Sequence, residues 1–177
     1  MAATTRPARA ARPERPPVPG LPPLDALDLT HRQMVEVLDE LKALVDHLEA
    51  EGVDAHARAV ARKVCAFFSQ HARQHHADEE QLIFPPLVRK NDPALNQHVL
   101  RLQQDHGWLE EDWLELEPQL QAVAEGYSWY EIDGLRHGVG VFTTLYLEHI
   151  ALEESLIYPE ARRQLAAEAA ADVRRHG

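Results

Sequence analysis

Cysteine is nearly absent from this chain, which has only Cys65 among its 177 residues. A single thiol excludes an internal disulfide and any metal site that needs several cysteines. Lysine and arginine number 18 against 29 aspartates and glutamates, so we expect no nucleic-acid partner, because phosphate binding needs a basic surface. We also expect no membrane span, because there is no run of about eighteen apolar residues. These absences predict an acidic, soluble protein of the cytoplasm.

The first 24 residues differ in composition from the rest. They hold seven of the twelve prolines, one acidic residue and four arginines, Arg6, Arg9, Arg12 and Arg15. Such a segment has too little apolar surface to offset the entropy lost on ordering. We predict a disordered tail over residues 1–24, one folded domain over 25–160 and a C-terminal helical extension over 161–177.

Capping and breaking residues define two helices in the first half of the domain. Asp25 or Asp28 is predicted to begin the first helix, and Gly52 to end it, because short polar side chains cap helix starts and glycine adopts the conformation found after helix ends. Asp54 is predicted to begin the second, which we expect to end at Pro85–Pro86.

The second half shows the same signals. Asp92–Pro93 predicts the start of a third helix, and Pro118 should kink it or end it early. Ser128 and Glu131 form a capping-box pattern for a fourth helix that should stop at Pro159. No window alternates with the period of a strand, so the fold class is all-α. Four long helices with short connections predict an up-down antiparallel four-helix bundle, followed by a short C-terminal helix.

One string occurs twice in the chain. Residues 75–85 read HHADEEQLIFP and residues 149–159 read HIALEESLIYP, with seven of the eleven positions identical. His31 precedes the first string by 44 residues and His106 precedes the second by 43. The chain therefore reads as a duplicated helical hairpin, in which each half offers one histidine and then His-x-x-x-Glu.

Helical periodicity places these residues on the stripes that should face the core, together with Leu82 and Leu156. The predicted inward donors are His31, His75, Glu79, His106, His149 and Glu153. Burying two ionised carboxylates costs several kcal/mol each unless a cation compensates. Four imidazoles and two carboxylates are too many ligands for one tetrahedral zinc, so we predict two metal ions. Nitrogen and oxygen ligands suit iron, manganese or zinc, and the spacing does not choose among them.

The set of His31, His75-x-x-x-Glu79, His106 and His149-x-x-x-Glu153, with L-I-[FY]-P after each glutamate, resembles the hemerythrin-like family, also called HHE cation-binding domains. The resemblance covers residues 25–160. It implies a left-handed four-helix bundle with two iron ions, bridged by an oxo or hydroxo group and by the two glutamates. It also implies that the four histidines are terminal iron ligands. Oxygen-carrying members have paired histidines on the third helix and an aspartate bridge on the fourth, whereas this chain has Leu102 and Glu153 at those places.

Further residues near the predicted centre are weaker candidates. His71, one turn before His75, is a candidate fifth ligand or an ordinary buried histidine, and Glu110, one turn after His106, is a candidate extra ligand. Tyr146 is either a core residue or a donor to a bound ligand. Glu80 and Glu154, which follow the two bridging glutamates, are predicted to be outer carboxylates, and His76 lies off the inward stripe.

The resemblance implies a protein that binds a small ligand, oxygen or nitric oxide, for storage, transport or sensing. One alternative is a di-iron oxidoreductase that acts on peroxide, oxygen or nitric oxide. Another is a protein of iron handling or iron-centre repair, and a fourth is a bundle in which the metal is purely structural.

Overall fold

The computed structural model describes residues 23–176, and the predicted tail lies outside them apart from Pro23 and Leu24. Four long helices make up this part of the chain: α1 is Pro23–Glu51, α2 spans residues 55–88, α3 is Pro93–Glu125 and α4 spans residues 132–176. Each helix packs against the one before it, and α1 also packs against α4. The predicted all-α, up-down antiparallel bundle is confirmed. No helix within these residues is both long and apolar enough to cross a membrane.

Three of the predicted helix ends, at Gly52, Asp54 and Asp92, are confirmed by hydrogen bonds or backbone angles. The Asp54 carboxylate accepts a hydrogen bond from the backbone N–H of Ala57 at 2.8 Å and so caps α2. Asp92 caps α3 in the same way. Gly52 and Gly126, which follow α1 and α3, have φ angles of 73° and 98°, a left-handed conformation that glycine adopts without steric cost.

The predicted start of α4 is wrong. Ser128 makes no capping contact, and the N-cap is Glu131, whose carboxylate accepts hydrogen bonds from the backbone N–H groups of Asp133 at 3.1 Å and Gly134 at 2.6 Å. The serine-to-glutamate spacing matches a capping box, but the longer glutamate side chain reaches the free amides itself. The helix therefore begins three residues later than the sequence predicts, at Ile132.

The predicted stops at proline are also wrong. α3 continues through Pro118, α2 continues through Pro85–Pro86 to Val88, and α4 continues through Pro159 to His176. In α2 and α4 a π-helical turn lies directly before the proline segment, at Glu79–Ile83 and at Glu153–Ile157. A third π-helical turn, Phe67–Ala72, lies earlier in α2.

The two later π-helical turns explain how the helices pass their prolines. The backbone N–H of Phe84 bonds to the carbonyl of Glu79, five residues back, and that of Tyr158 bonds to the carbonyl of Glu153. A proline in a regular α-helix clashes with the carbonyl four residues back. The extra residue in each π-helical turn changes that register, so the helix resumes after the proline.

The same turns overturn two predicted core positions. Leu82 and Leu156 are 58% and 42% exposed. Both lie inside π-helical turns, where the period is longer than 3.6 residues. The regular α-helical period therefore predicts the wrong direction for these two side chains.

The core consists of two apolar clusters with a polar layer between them. The smaller cluster lies at the end of the bundle where α1 begins, and its members are Leu24, Leu27, Ile83, Phe84, Leu87, Val99, Leu102, Ile157, Tyr158 and Ala161. The larger cluster fills the rest of the bundle and includes Met34, Phe68, Leu109 and Phe142. The predicted donors lie between the two: His31, for example, follows Leu27 of the smaller cluster and precedes Met34 of the larger.

The revised helix start predicts the effect of two substitutions. Glu131→Ala should lower the free energy of unfolding by about 1 kcal/mol, because the first amides of α4 lose their acceptor. Ser128→Ala, three residues earlier, should leave it unchanged within about 0.5 kcal/mol. Urea denaturation of the full chain measures both. The reverse order of effects would restore Ser128 as the cap.

Candidate metal centre

The polar layer is made almost entirely of the residues that the sequence marks as donors. Among the described residues, eight polar or charged side chains are buried: His31, His75, Glu79, Asp105, His106, Thr143, His149 and Glu153. Six of these are the predicted metal ligands. Glu79 and Glu153 have no exposed surface at all, so their charges are removed from water.

One group of donors lies on the side of α1. His31, His75, Glu79 and Glu153 place ligand atoms within 4.8 Å of one another. The Nε2 atom of His75 is 3.0 Å from Oε1 of Glu79, and Nε2 of His31 is 3.1 Å from Oε2 of Glu153. We call these four residues the first donor group.

A second group lies on the side of α3. Its members are His76, Glu79, His106 and His149, again with ligand atoms within 4.8 Å of one another. The Nε2 atoms of His106 and His149 are 3.2 Å apart, and Nε2 of His106 is 3.4 Å from Oε2 of Glu79. We call these four residues the second donor group, which shares Glu79 with the first.

Both buried carboxylates present one oxygen to each side. Oε1 of Glu79 lies near His75 of the first group, while its Oε2 lies near His106 of the second. Glu153 has Oε2 beside His31 and Oε1 at 3.1 Å from Nε2 of His149. Glu153 thus reaches His149 of the second group although it is counted with the first, so both glutamates connect the two groups through opposite oxygens, and we call them the shared glutamates.

Several donor atoms lie close to one another without forming hydrogen bonds. His75 Nε2 and both oxygens of Glu153 are buried without a hydrogen-bond partner, although other donor atoms lie 3.0–3.1 Å away. Two ligands bound about 2.1 Å from one ion and at right angles are about 3.0 Å apart. The distances and the unpartnered atoms therefore fit cations held by nitrogen and oxygen ligands.

The protonation of the two carboxylates reflects their shared burial. Burial and the nearby charge of Glu79 raise the pKa of Glu153. Burial acts in the same direction on Glu79, but the imidazoles of His75 and His106 outweigh it and bring the pKa of Glu79 below its usual value. Two neighbouring carboxylates cannot both ionise at low cost in an apolar core, and a cation between them removes that conflict.

Two exposed glutamates orient histidines from outside the layer. Nδ1 of His106 lies 2.8 Å from Oε1 of Glu80, and Nδ1 of His31 lies 3.2 Å from Oε1 of Glu154. A carboxylate on one ring nitrogen fixes the tautomer and turns the other nitrogen toward a metal. Glu80 and Glu154 thus occupy the outer positions that the sequence predicts for them, and each contacts a histidine of the other repeat.

Asp105 provides a similar contact that the sequence analysis missed. Its carboxylate oxygen Oδ2 lies 3.6 Å from Nδ1 of His149, and its other oxygen, Oδ1, accepts a hydrogen bond from Nε of Arg101 at 2.8 Å. Burial acts to raise the pKa of Asp105, but His149 and Arg101 outweigh it and lower that pKa. The four-residue spacing of Arg101 and Asp105 was the available signal in the sequence.

His76 is the donor that sequence reasoning placed off the inward face. Its Nε2 atom is buried without a hydrogen-bond partner, and its ring stacks on that of His106 with centroids 4.1 Å apart. Burial, followed by the charge of His106, holds the pKa of His76 well below its usual value. The imidazole is therefore neutral near pH 7, the form that binds a metal.

The two weaker candidate ligands are not brought to either group. His71 is exposed on the π-helical turn Phe67–Ala72, with its ring 5.8 Å from that of Phe67. Glu110 forms an ion pair with Arg73 in which each side chain is 42% exposed. Neither residue belongs to a donor group. The charge of Glu110 is instead paired with that of Arg73.

A four-helix bundle with two connected His/Glu groups in its core defines a class of metal-binding helical proteins. The chain matches the model of the hemerythrin HHE cation-binding domain over residues 23–161 and belongs to that family. An uncharacterised protein of Haemophilus influenzae is 30% identical to it over 146 residues, which are 82% of each chain.

The shared glutamates predict a coupled loss of metal. If each donor group holds one ion, Glu79→Gln or Glu153→Gln should lower the metal content from two ions per chain toward one or none, because each substitution replaces a carboxylate that faces both groups with a neutral amide. Metal analysis of gel-filtered protein measures this. Glu115→Gln, an exposed glutamate on α3, is the matched control and should keep the full content. Two tightly bound ions in both core variants would rule out sharing.

The position of His76 predicts a difference between two histidines five residues apart. His76→Ala should weaken binding of one metal by more than the about 10–100-fold that follows loss of an outer partner. His71→Ala should not change the affinity. Competition with a chelator of known affinity measures both variants. Equal affinity in the His76 variant and the unsubstituted protein would remove His76 from the second donor group.

Proposed function

We propose that this chain is a cytoplasmic non-haem di-iron protein that binds a small diatomic molecule, oxygen or nitric oxide, to store, transport or sense it. The observation that carries the proposal is the division of each buried carboxylate between two donor groups. Glu79 and Glu153 each turn one oxygen to the first group and one to the second. In the proposal they are the bridges between two metals, and the histidines are the terminal ligands.

Iron is proposed for both positions on the basis of family and chemistry. The donors are imidazole and carboxylate, with no thiolate, which suits iron without excluding other divalent ions. The family is named after hemerythrin, and the resemblance of the ligand pattern to hemerythrin-like proteins implies two irons. When bound, two adjacent ferrous ions would supply one electron each to the same small molecule.

A small cavity beside His76 supports a diatomic ligand. Its volume is about 10 Å³, and its walls are Phe68, Leu109, Trp113, Phe142, Tyr146 and His76, with Arg73 and Glu110 on its outer side. A cavity of about 10–15 Å³ holds one water-sized molecule. Its walls combine apolar and polar groups, so the small volume, rather than a lack of hydrogen-bond partners, is what favours a diatomic molecule.

The outer wall of this cavity is the Arg73–Glu110 ion pair. Nε and Nη2 of Arg73 donate to the two carboxylate oxygens of Glu110 at 3.0 and 2.5 Å. Exposed pairs of this kind contribute at most about 1 kcal/mol, so thermal motion opens them readily. The pair therefore separates the cavity from solvent without blocking the exchange of a small molecule.

A larger groove elsewhere on the described surface does not bear on this function. It is an open groove of about 710 Å³ between α3 and α4, lined by residues that include Trp108, Arg136 and Thr144. No member of either donor group lines it. The small cavity is the better place for a ligand of the metal, because His76 contributes to its wall.

Reversible binding is the testable consequence. Reduced protein loaded with two irons should change its visible absorption on exposure to oxygen, and removal of oxygen should restore the first spectrum over repeated cycles. The small volume of the cavity supports reversibility because it limits the supply of water and protons. Zinc-loaded protein is the control and should not respond.

Two outcomes would contradict the proposal. A spectrum that stays oxidised until a reductant is added would indicate an oxidoreductase instead of a carrier or sensor. No spectral response to oxygen or nitric oxide in protein shown to hold two ferrous ions would leave iron handling or a structural role for the metal.

A further inference from the structure

The hydroxyl of Tyr158 lies inside the first donor group. It donates a short hydrogen bond to Oε1 of Glu79 and is 3.2 Å from Nε2 of His31. The ring of Tyr158 lies parallel to that of His31, with an interplanar angle of 4° and centroids 5.0 Å apart. The side chain is 2% exposed, so its hydroxyl lies within the buried polar layer.

The atoms around this hydroxyl are those that face the first metal position. Nε2 of His31 is also 3.1 Å from Oε2 of Glu153, and Oε1 of Glu79 is also 3.0 Å from Nε2 of His75. The Tyr158 oxygen thus contacts two of the atoms that define the first donor group, and its distance from His31 is close to those between the other donors.

The two donor groups are unequal without this oxygen. Apart from the two shared glutamates, the first group has two imidazoles, those of His31 and His75. The second has three, those of His76, His106 and His149. Tyr158 would supply the third terminal donor on the side that lacks one.

The repeated string shows where the inequality arises. His76 of the first copy is answered by Ile150 in the second, and Phe84 of the first copy is answered by Tyr158. Phe84 stacks on His106 of the second group, with centroids 5.8 Å apart and an interplanar angle of 16°, much as Tyr158 stacks on His31. The first copy thus has an imidazole, His76, that the second lacks, and the second has a phenol, Tyr158, that the first lacks. His76 lies in the second donor group, and the hydroxyl of Tyr158 contacts the first.

We propose that Tyr158 is a third terminal ligand of the metal held by His31 and His75, bound through its phenol oxygen. The inference rests on the proposed dinuclear centre and adds a residue to it. On binding, the O–H bond breaks, an oxygen–metal bond forms and the proton leaves to solvent, as metal binding to protonated ligands requires. A phenolate is an anionic oxygen donor, so it makes the two metal positions chemically different.

The test is a spectroscopic signature of phenolate bound to ferric iron. The full chain with two ferric ions should show a visible phenolate-to-iron charge-transfer band, and resonance Raman excitation in that band should enhance the ring modes of a coordinated tyrosine. Tyr158→Phe should keep the fold and bind iron but lose both signals. Tyr146→Phe is the matched control. Tyr146 is also buried beside the centre, but within residues 23–176 its hydroxyl makes no hydrogen bond to a member of either donor group.

The outcomes separate this inference from the proposed function. Two bound ferric ions without a phenolate signature in the unsubstituted protein would overturn the role of Tyr158, would leave it as a hydrogen-bond donor to Glu79 and would not affect the dinuclear proposal. A signature that survives Tyr158→Phe would also overturn it. A single bound iron whose signature disappears in Tyr158→Phe would support the ligand and overturn the pairing. The measurement on the unsubstituted protein stands even if the variant is unstable.

Discussion

Two carboxylates with no exposed surface lie in the middle of an apolar bundle. Their burial costs free energy, and the rest of the structure compensates for that cost. Glu79 and Glu153 are separated from water by one apolar cluster on each side of the polar layer. Each isolated charge would cost several kcal/mol in such a place. Surrounding imidazoles offset part of this, but they leave several donor atoms without hydrogen bonds. A bound cation satisfies those atoms directly, so the free energy of metal binding is also free energy of folding.

The π-helical turns show how the backbone meets this requirement. One begins at Glu79 and one at Glu153, so both start at the carboxylates that the two donor groups share. Such turns occur mostly as single insertions in α-helices and are frequent at functional sites, because the extra residue changes the direction of nearby side chains. The repeated proline after each turn can remain in the helix for the same reason. The string that is written twice therefore encodes a backbone geometry as well as a set of ligands.

Much of the bundle and of its polar layer could be predicted from sequence. Apolar periodicity and capping residues gave the four helices, and the repeat identified six donors that are all buried. The misses have physical causes. The predictions that helices end at Pro85–Pro86 and at Pro159 assumed a regular α-helix. The prediction that Leu82 and Leu156 face the core made the same assumption. His76 was missed because it lies about 100° around the helix from His75, which is off the stripe if all donors face one point. If the donors instead face two groups, one on each side of Glu79, His76 faces the second group.

Departures from the duplication explain why the two donor groups are not equivalent. A strict repeat would give two equal donor groups, yet His76 has no counterpart in the second copy and the hydroxyl of Tyr158 has none in the first. The small cavity reaches the second group through His76, whereas Tyr158 belongs to the apolar cluster that covers the first. A small molecule that enters past Arg73 and Glu110 therefore meets the side of His106 and His149 first. In the proposed dinuclear centre, the covered position, with Tyr158 beside it, would tune the pair of metals, and the position next to the cavity would receive the ligand.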